Sequence, residues 1–342
     1  MKVWHVLDIQ VPLAEIPEQA QRAERLGFDV LALPDIIHDG LMAAALAVQA
    51  TRDITIATSA LIAFPRSPMT VAVAAWDLQA LSGGRFVLGL GPQVRGNIVD
   101  RFSTPWTPPA PRMREYVQSV RAIFDRWQHG TPLEFEGEHY HFTRMQPFTS
   151  PPPIEHPDIP IVLAGIGPHM TALAGEVADA LFTHPTNASP RFLRERALPG
   201  LAKGAARHGG REQGSAAVIA NPMCATGATA AEVSRQREVQ REMLALLLST
   251  PPYWQSLDLF GWGELGRKLH TLVREGHWKD LTALVTDEML DVFLPTAPWS
   301  ELGDLLAEQY SGLADAITLS LPADPAQDIE VSRVIERLKE AK

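Results

Sequence analysis

The stretch LSGGRFVLGLGPQVRGN, residues 81–97, joins a hydrophobic run to two glycines and a polar tail. A dinucleotide-binding turn needs the pattern G-x-G-x-x-G, which opens a helix directly after a strand. Here Gly89 and Gly91 fill the first two glycine positions, and Val94 occupies the third. The missing glycine argues against a dinucleotide-binding crossover, so the two glycines need another explanation.

The two glycines suit the carboxyl end of a barrel strand, where the backbone passes close to a ligand or to a neighbouring strand. The polar residues Gln93, Arg95 and Asn97 would then project from the following loop at the catalytic face. A solvated loop with a packing pair of glycines fits the spacing equally well. The organisation of the whole chain bears on this choice.

Short apolar runs alternate with helical patterns along nearly the whole chain, which is typical of buried parallel strands separated by helices. This pattern predicts a single (β/α)8 TIM barrel domain over residues 1–342, although an open, doubly wound sheet is also compatible with it. The eight predicted strands begin at Val3, Phe28, Ile54, Arg85, Ile159, Asp179, Ala216 and Asp315.

Two segments interrupt the alternation, and we interpret both as insertions into the barrel. The first, after strand 4 at about 129–157, contains the hairpin-like LEFEGEHYHF and the proline-rich PFTSPPPIEHP. The second, between strands 7 and 8 at about 250–298, is rich in aromatic residues and is expected to be mostly helical. We expect this second insertion to cover the barrel mouth.

Composition limits the possible partners and the compartment. The formal net charge is −10 with no long charge run, which argues against binding to nucleic acid or to an anionic membrane surface. Cys224 is the single cysteine, so we expect no disulfide framework and a reducing, cytoplasmic location. No apolar segment approaches the length of a transmembrane helix. An anionic cofactor would need a locally positive or amide-rich pocket.

Three segments, taken in order, carry a family resemblance: ATSALIAFPRSPMTVA (residues 57–72), LSGGRFVLGLG (81–91) and LAGIGPHMTALAGEVADALFTHP (163–185). Together they resemble the luciferase-like monooxygenase superfamily, and most closely its actinobacterial coenzyme F420-dependent oxidoreductases. The resemblance implies a (β/α)8 barrel that holds F420, or alternatively FMN, at its carboxyl-terminal face. It also implies a small-molecule substrate and usually a homodimer.

The resemblance places an acid at the end of strand 2, next to the reactive ring of the cofactor. In the matching stretch ALPDIIHD this acid is Asp35, and Ile36 stands where the family often has a histidine. His38 lies two residues further on and is the candidate for proton transfer, with helix capping as the alternative. Asp39 could simply be the N-cap of the next helix.

The strand 3 segment matches the place where the family has a non-prolyl cis peptide that presses against one face of the ring. By position this bond is Ser59–Ala60. Arg66, further along the loop, could bind an anionic tail or pair with an acid. The resemblance also makes Gln93 and Asn97, after strand 4, contacts of the cofactor.

The stretch AGIGPHM carries a physical motif for phosphate binding. Strand 5 runs into Gly165, Ile166 and Gly167, and Pro168 is well placed as the first residue of a helix. Free amides and the helix dipole at such a start suit a phosphate group, and the family binds its cofactor phosphate there. The alternative is a plain tight turn. His184, at the end of strand 6, matches another cofactor or substrate contact.

Two departures from the family argue against a sugar-phosphate substrate. Val94 stands where the sugar-phosphate dehydrogenases have a catalytic glutamate, and Asn187 stands where they have a phosphate-binding lysine. Arg112 and Arg114 could bind an anionic tail or be solvated helix residues. His139-x-His141 has the spacing of metal ligands, but with no acid expected nearby we predict no metal site.

The sequence leaves three functions open. The leading hypothesis is hydride transfer between the deazaflavin F420 and a small organic substrate. An FMN-dependent monooxygenase is the alternative, because it would use the same barrel mouth. A flavin-binding protein without turnover is the third, since Ile36 and Val94 depart from the family pattern.

Overall fold

Eight parallel strand positions close into a barrel in the computed structural model, which describes residues 1–207 and 216–341. The strands are β1 (Lys2–Val6), β2 (Val30–Leu33), β3 (Thr55–Thr58), β4 (Leu61–Ile62), β5 (Phe86–Gly91), β6 (Phe135–Glu136), β7 (His141–Phe142), β8 (Ile161–Ala164), β9 (Ala180–Phe182), β10 (Ala217–Ala220) and β11 (Ala316–Thr318). The third position is shared by β3 and β4. Each predicted barrel strand is present, although most are shorter than their apolar runs.

The strand order decides between the two predicted architectures. Around the barrel the order is β1, β2, β3, β5, β8, β9, β10 and β11, and β11 pairs again with β1. Pairing of β3 with β5 leaves no open edge between them. The prediction of a (β/α)8 TIM barrel is therefore confirmed, and the open sheet is excluded.

The helices surround the barrel and bury its outer surface. They are α1 (Ile16–Leu26), α2 (Gly40–Ala50), α3 (Pro68–Ser82), α4 (Pro109–His129), α5 (Pro168–Val177), α6 (Pro190–Phe192), α7 (Leu198–Ala205), α8 (Ala230–Leu248), α9 (Trp254–Leu259), α10 (Gly263–Glu275), α11 (Asp287–Phe293), α12 (Trp299–Tyr310) and α13 (Asp328–Glu340). A separate cluster fills the barrel interior: Trp4, Val30, Ala32, Ala57, Val162, Ala180, Phe182, Ile219 and Ala316. No described helix has the length and apolar character needed to cross a bilayer.

Close packing against strand β3 explains the first glycine of the opening stretch. A Cβ on Gly89 would lie 1.9 Å from the carbonyl oxygen of Thr58. The Thr58 hydroxyl also donates to the Gly89 carbonyl and accepts its N–H, at 2.8 and 2.9 Å. Only glycine allows the two backbones to approach this closely, so the glycine serves the barrel wall rather than a nucleotide turn.

The first insertion forms the predicted hairpin, in which β6 and β7 pair antiparallel. Its turn is fixed by Glu115 of α4, whose carboxylate accepts the backbone N–H groups of Glu138, His139 and Tyr140. Burial opposes ionisation of Glu115, but these three hydrogen bonds outweigh burial and lower its pKa. The expectation that no acid lies near His139 was wrong. The carboxylate is already occupied by the hairpin backbone, however.

The second insertion is mostly helical, as predicted, and consists chiefly of α9, α10 and α11. With α8 it forms its own small apolar core beside the barrel. The insertion also reaches the loops that follow β8 and β9, where the candidate site lies.

Candidate active site

Small residues from three strands meet at the barrel mouth. The Ser59–Ala60 peptide is cis, as predicted, and it separates β3 from β4. A Cβ built on Gly91 would lie 3.3 Å from the Cβ of Ala60 and 3.6 Å from the Cβ of Ala164. The mouth therefore has a floor without bulky side chains on this side, which suits a flat ring system.

Asp35 follows β2 and is buried. One of its oxygens accepts the N–H of Gly40 at 2.9 Å, and the other accepts the N–H of Ile62 at 2.8 Å. Arg66 donates to both oxygens, at 2.8 and 3.2 Å. The carboxylate therefore ties the loop after β2 to β4, immediately beyond the cis peptide.

Arg66 pairs with acids, which was one of its two predicted roles. Besides Asp35 it contacts Asp39 at 2.8 Å. Asp39 caps α2 as expected, because its side chain accepts the N–H groups of Leu41 and Met42. Burial opposes ionisation of Asp39, but Arg66 and the two capping hydrogen bonds outweigh burial and lower its pKa. The positive charge of Arg66 is thus neutralised within the protein.

His38 lies apart from the Asp35 carboxylate, with which it forms no hydrogen bond among the described residues. It is partly buried and lines a small pocket with Leu7 and Asp8, at the end of β1. Asp39, not His38, is the N-cap residue of α2. The capping alternative for His38 was therefore wrong, whereas its proposed role in proton transfer stays a prediction.

The loop after β5 places its polar residues at the edge of the mouth. Gln93 has a positive φ of 60°, and its side-chain oxygen accepts the N–H of Val94 at 2.8 Å. Asn97 is half-buried and begins a short π-helical turn that extends to Arg101. Arg101 donates to the carbonyl of Ile36 at 2.6 Å and so joins this loop to the one after β2.

The turn before α5 presents unpaired backbone donors. Gly167 is the N-cap residue of α5, Pro168 is its first residue, and no side chain caps the helix. In the part of the chain that the structure describes, the N–H groups of Ile166, Gly167, His169 and Met170 find no hydrogen-bond partner. The free amides that the sequence predicted for this turn are therefore present, and phosphate binding by them stays a prediction.

Asn187 joins this turn to the loop after β9. Its side-chain amide donates to the carbonyl of Gly165 at 3.2 Å, and its side-chain oxygen accepts the N–H of His184 at 2.7 Å. Asn187 is 2% exposed, so its side chain serves as a neutral, buried bridge between the two loops.

His184 is neutral at physiological pH because burial lowers its pKa to about 4. The N–H of Thr186 donates to its Nδ1 at 3.3 Å, and the Thr186 hydroxyl lies 2.9 Å from the same atom. With Nδ1 as the acceptor, the ring proton is assigned to Nε2. The ring of Tyr253, from the second insertion, stacks on the His184 ring with centroids 4.2 Å apart. His184 therefore presents a fixed N–H donor, and the structure gives that nitrogen no described partner.

The second insertion contacts the loops after β8 and β9 directly, as its expected covering role requires. The Ser256 hydroxyl donates to the carbonyl of Thr186. The side-chain nitrogen of Gln255 lies 3.3 Å from the position that a Gly167 Cβ would occupy. Sequence reasoning missed Gln255, because no local pattern indicates that a residue so distant along the chain returns to this turn.

Arg112 and Arg114 fit neither of their predicted roles. Arg112 donates to the Tyr140 hydroxyl and to the carbonyl of Phe64, with its guanidinium 4.4 Å from the Phe64 ring centroid. Arg114 forms a bidentate ion pair with the buried carboxylate of Glu176, at 2.6 and 2.9 Å. Both charges are therefore used to hold α4 against its neighbours.

The family assignment follows from comparison with known proteins. The model of the luciferase-like monooxygenase family matches residues 2–316, so the chain belongs to this family and to the oxidoreductases. An uncharacterized protein of Mycobacterium tuberculosis is 40% identical over 313 residues, which cover 91% of this chain and 92% of that protein. A putative coenzyme F420-dependent oxidoreductase of the same species is 35% identical over 188 residues, or 51% and 52% of the two chains.

A solved structure supports the fold over the whole chain. The coenzyme F420-dependent tetrahydromethanopterin reductase of Methanopyrus kandleri superposes with a TM-score of 0.80 and 18% identity. The alignment covers 100% of this chain and 99% of that one.

Proposed function

We propose that the chain is a coenzyme F420-dependent oxidoreductase that moves a hydride between the deazaflavin and a small organic substrate. The unpaired amide turn beside the small-residue floor of the mouth is the observation that carries this proposal. When bound, the cofactor supplies the carbon that accepts or donates the hydride. The resemblance of the three segments and the sequence relatives favour a deazaflavin.

The residues of the mouth fit such a cofactor. Ala60 and Gly91 leave room for a ring, and the free N–H groups of Ile166 and Gly167 would hold a phosphate. Any Cβ at Gly167 would project toward Gln255 and into this cradle. Among the other predicted cofactor contacts, Ser59 follows β3, and Gln93 and Asn97 lie on the loop after β5. Gly165 follows β8, which pairs directly with β5, and His184 follows β9, the next strand around the barrel.

The chain's own side chains would position the reactants and handle protons. Asp35 has four donors on its two oxygens, so we propose that it positions the cis peptide and does not transfer a proton. His184 would donate a fixed hydrogen bond from Nε2. His38 remains the proposed proton carrier, because its ring has no described hydrogen-bond partner.

Titration with each cofactor tests this function. We expect saturable binding of F420, followed by its fluorescence, and weaker binding of FMN. Gly167→Leu should weaken F420 binding at least about tenfold, since its side chain crowds charge-assisted hydrogen bonds worth about 1.5–3 kcal/mol each. Gly167→Ala should have a smaller effect, because only the flexible Gln255 side chain has to move. Unchanged affinity in a folded Gly167→Leu protein would overturn the phosphate assignment.

FMN-dependent oxygenation is the second candidate, and the matched family model of luciferase-like monooxygenases favours it. A flavin-binding protein without turnover is the third. Tight FMN binding with no F420 binding would select the second candidate. If no compound in a broad panel accepts hydride from reduced F420, and none is oxygenated in the presence of reduced FMN and O2, the third candidate is selected.

We also propose a homodimer formed through α2 and α3. Both helices are rich in apolar residues, and some of these lie on the outer faces, where Val73 and Leu81 of α3 are exposed. Met42 on α2 is 57% exposed. We expect Met42→Glu to produce a monomer in light scattering, while Val239→Glu, an equally exposed position on α8, leaves a dimer. A monomeric wild-type protein would contradict this proposal.

A further inference from the structure

Three hydrogen-bonding side chains lie side by side on the inner wall of the barrel, where β9, β10 and β11 end. His184, Asn221 and Thr318 each come two residues after a member of the cluster that fills the barrel interior. Because side chains alternate along a strand, all three are directed to the same inner face. Their strands are consecutive around the barrel, so the three residues form a row at its carboxyl-terminal face.

Thr318 fixes the orientation of Asn221 in this row. It is 4% exposed, and its hydroxyl donates to Oδ1 of Asn221 at 2.7 Å. Because the amide oxygen faces Thr318, the NH2 group of Asn221 must point away from it. Asn221 itself is partly exposed, so this oriented donor is accessible from the mouth.

His184 lies next to Asn221 on the neighbouring strand. The two strands pair in parallel with Ile219 opposite Phe182, and the N–H of Asn221 still binds the Thr183 hydroxyl two residues further on. Neighbouring strands are about 4.8 Å apart, so the side chains of Asn221 and His184 are adjacent. Two donors at this spacing can share one oxygen atom, which has two lone pairs.

The acceptor atoms of both side chains are already occupied. Oδ1 of Asn221 accepts the Thr318 hydroxyl, and Nδ1 of His184 accepts the Thr186 N–H. The Asn221 NH2 group and the His184 Nε2–H form no hydrogen bond with any residue that the structure describes. The pair therefore offers only donors to a ligand. This suits a carbonyl oxygen, since a hydroxyl group would also need an acceptor for its own proton.

Aromatic rings close the barrel interior below this pair. Phe182 lies two residues before His184 on the inner face of β9, and its ring centroid is 6.0 Å from that of Trp4. Both residues are buried. A ligand that enters the mouth is therefore stopped at the level of Asn221 and His184.

The pair faces the proposed position of the deazaflavin ring from across the mouth. β10 is the fourth strand from β3 in both directions around the barrel. The Ser59–Ala60 cis peptide follows β3, so Asn221 follows the strand opposite the bond that would support one face of the ring. The other face of the ring would then turn toward Asn221 and His184, and a substrate would lie between them.

We infer that Asn221 and His184 bind the oxygen of a carbonyl substrate, and that Thr318 is a positioning residue for the Asn221 amide. The inference rests on the proposed function and deepens it by naming the substrate class. In the reduction, the carbonyl carbon receives the hydride from reduced F420, which is thereby oxidised. The electron pair of the C=O bond moves to the oxygen, and a proton from solvent completes the alcohol. Donors already aimed at this oxygen stabilise its developing negative charge.

Infrared spectra of a bound carbonyl compound test the inference without turnover. The probe is benzaldehyde labelled with 13C at the carbonyl, added to the protein with oxidised F420 bound. We expect its C=O stretch to move to lower frequency on binding, because hydrogen bonds weaken the double bond. Asn221→Leu, which has a similar branched shape but no donor, should reduce this shift. Thr318→Val should also reduce it, whereas Thr318→Ser keeps the hydroxyl and should retain it.

Kinetics with reduced F420 give a second measurement. Loss of one donor to a developing oxyanion costs about 100-fold or more in kcat, so Asn221→Leu should slow the reduction of benzaldehyde by about this factor. KM should change little, because the charge develops only in the transition state. His184→Phe keeps a ring for stacking on Tyr253 and should also lower kcat. The affinity for F420 should be unchanged in Asn221→Leu, which also shows that the variant is folded.

The outcomes separate this inference from the proposed function. Wild-type protein that binds no F420 would refute the proposed function itself. Wild-type protein that binds F420, but neither shifts the carbonyl frequency nor reduces benzaldehyde, cyclohexanone or cinnamaldehyde, would refute the substrate class alone. Weaker F420 binding by Asn221→Leu with an unchanged carbonyl frequency would also overturn the inference, because the amide would then hold the cofactor.

Discussion

Replacement of Asp35 by asparagine should destabilise the barrel mouth far more than the same replacement at Asp39. An asparagine side chain has only one acceptor oxygen, so its NH2 group would have to take the place of one carboxylate oxygen. In either orientation that NH2 group would then point at a backbone N–H, of Gly40 or of Ile62, and at the Arg66 guanidinium. Breaking a buried ion pair costs about 3–5 kcal/mol, and Arg66 is 22% exposed, so we expect about 3 kcal/mol.

Asp39 is the matched control, because it pairs with the same arginine from an exposed position. Asparagine caps helices as well as aspartate does, and exposed ion pairs contribute little, so Asp39→Asn should cost at most about 1 kcal/mol. Urea unfolding followed by circular dichroism measures both losses in the free energy of unfolding. If Asp35→Asn costs no more than Asp39→Asn, the positioning role that we assign to Asp35 is wrong.

Three further predictions concern the strand glycines, pH and the substrate. Gly89→Ala should cost about 3 kcal/mol or more in unfolding free energy, because the new Cβ would meet a carbonyl oxygen. Gly91→Ala should cost about 1 kcal/mol, because its Cβ would meet only methyl groups at 3.3 and 3.6 Å. Equal costs would refute the packing argument. Burial lowers the pKa values of His5 and His184 to about 4, so the folded state resists their protonation. Each neutral histidine should therefore contribute up to about 3 kcal/mol to the free energy of unfolding. This contribution is present above pH 6.5, and it is lost as the pH falls toward 4. His5→Gln should flatten this dependence in urea titrations at several pH values, and an unchanged slope would contradict it. Glucose 6-phosphate should not reduce oxidised F420 in an absorbance assay, because the family resemblance places Val94 where the sugar-phosphate dehydrogenases have their catalytic acid. Robust turnover would show this residue assignment to be wrong.

The barrel was predictable because the sequence patterns that specify its strands and helices are local. The strands are short apolar runs, and many helix ends carry a proline, a glycine or a capping residue, such as Asp39 before α2 and Gly27 after α1. The strand ends were less predictable. The apolar run from Ala216 continues to Thr226, but regular pairing of β10 ends at Ala220, and the next N–H binds the Thr183 hydroxyl instead.

The roles of the site residues were less predictable because they depend on distant partners. Family resemblance located Asp35 and the Ser59–Ala60 cis bond. The sequence also suggested an acid as a partner for Arg66, but only the structure identifies that partner as Asp35, 31 residues away. From the sequence, Arg114 was expected either to bind an anionic tail or to be solvated, but in the structure it pairs with Glu176. Gln255 reaches the turn before α5 only because the second insertion folds back onto the loops after β8 and β9.

The structure of the protein in complex with F420 is the most direct test of the central claim. We predict electron density for the phosphate within hydrogen-bond distance of the N–H groups of Ile166 and Gly167, with the deazaflavin ring against Ala60. A phosphate bound elsewhere, or crystals that take up FMN but not F420 at equal concentration, would contradict the account.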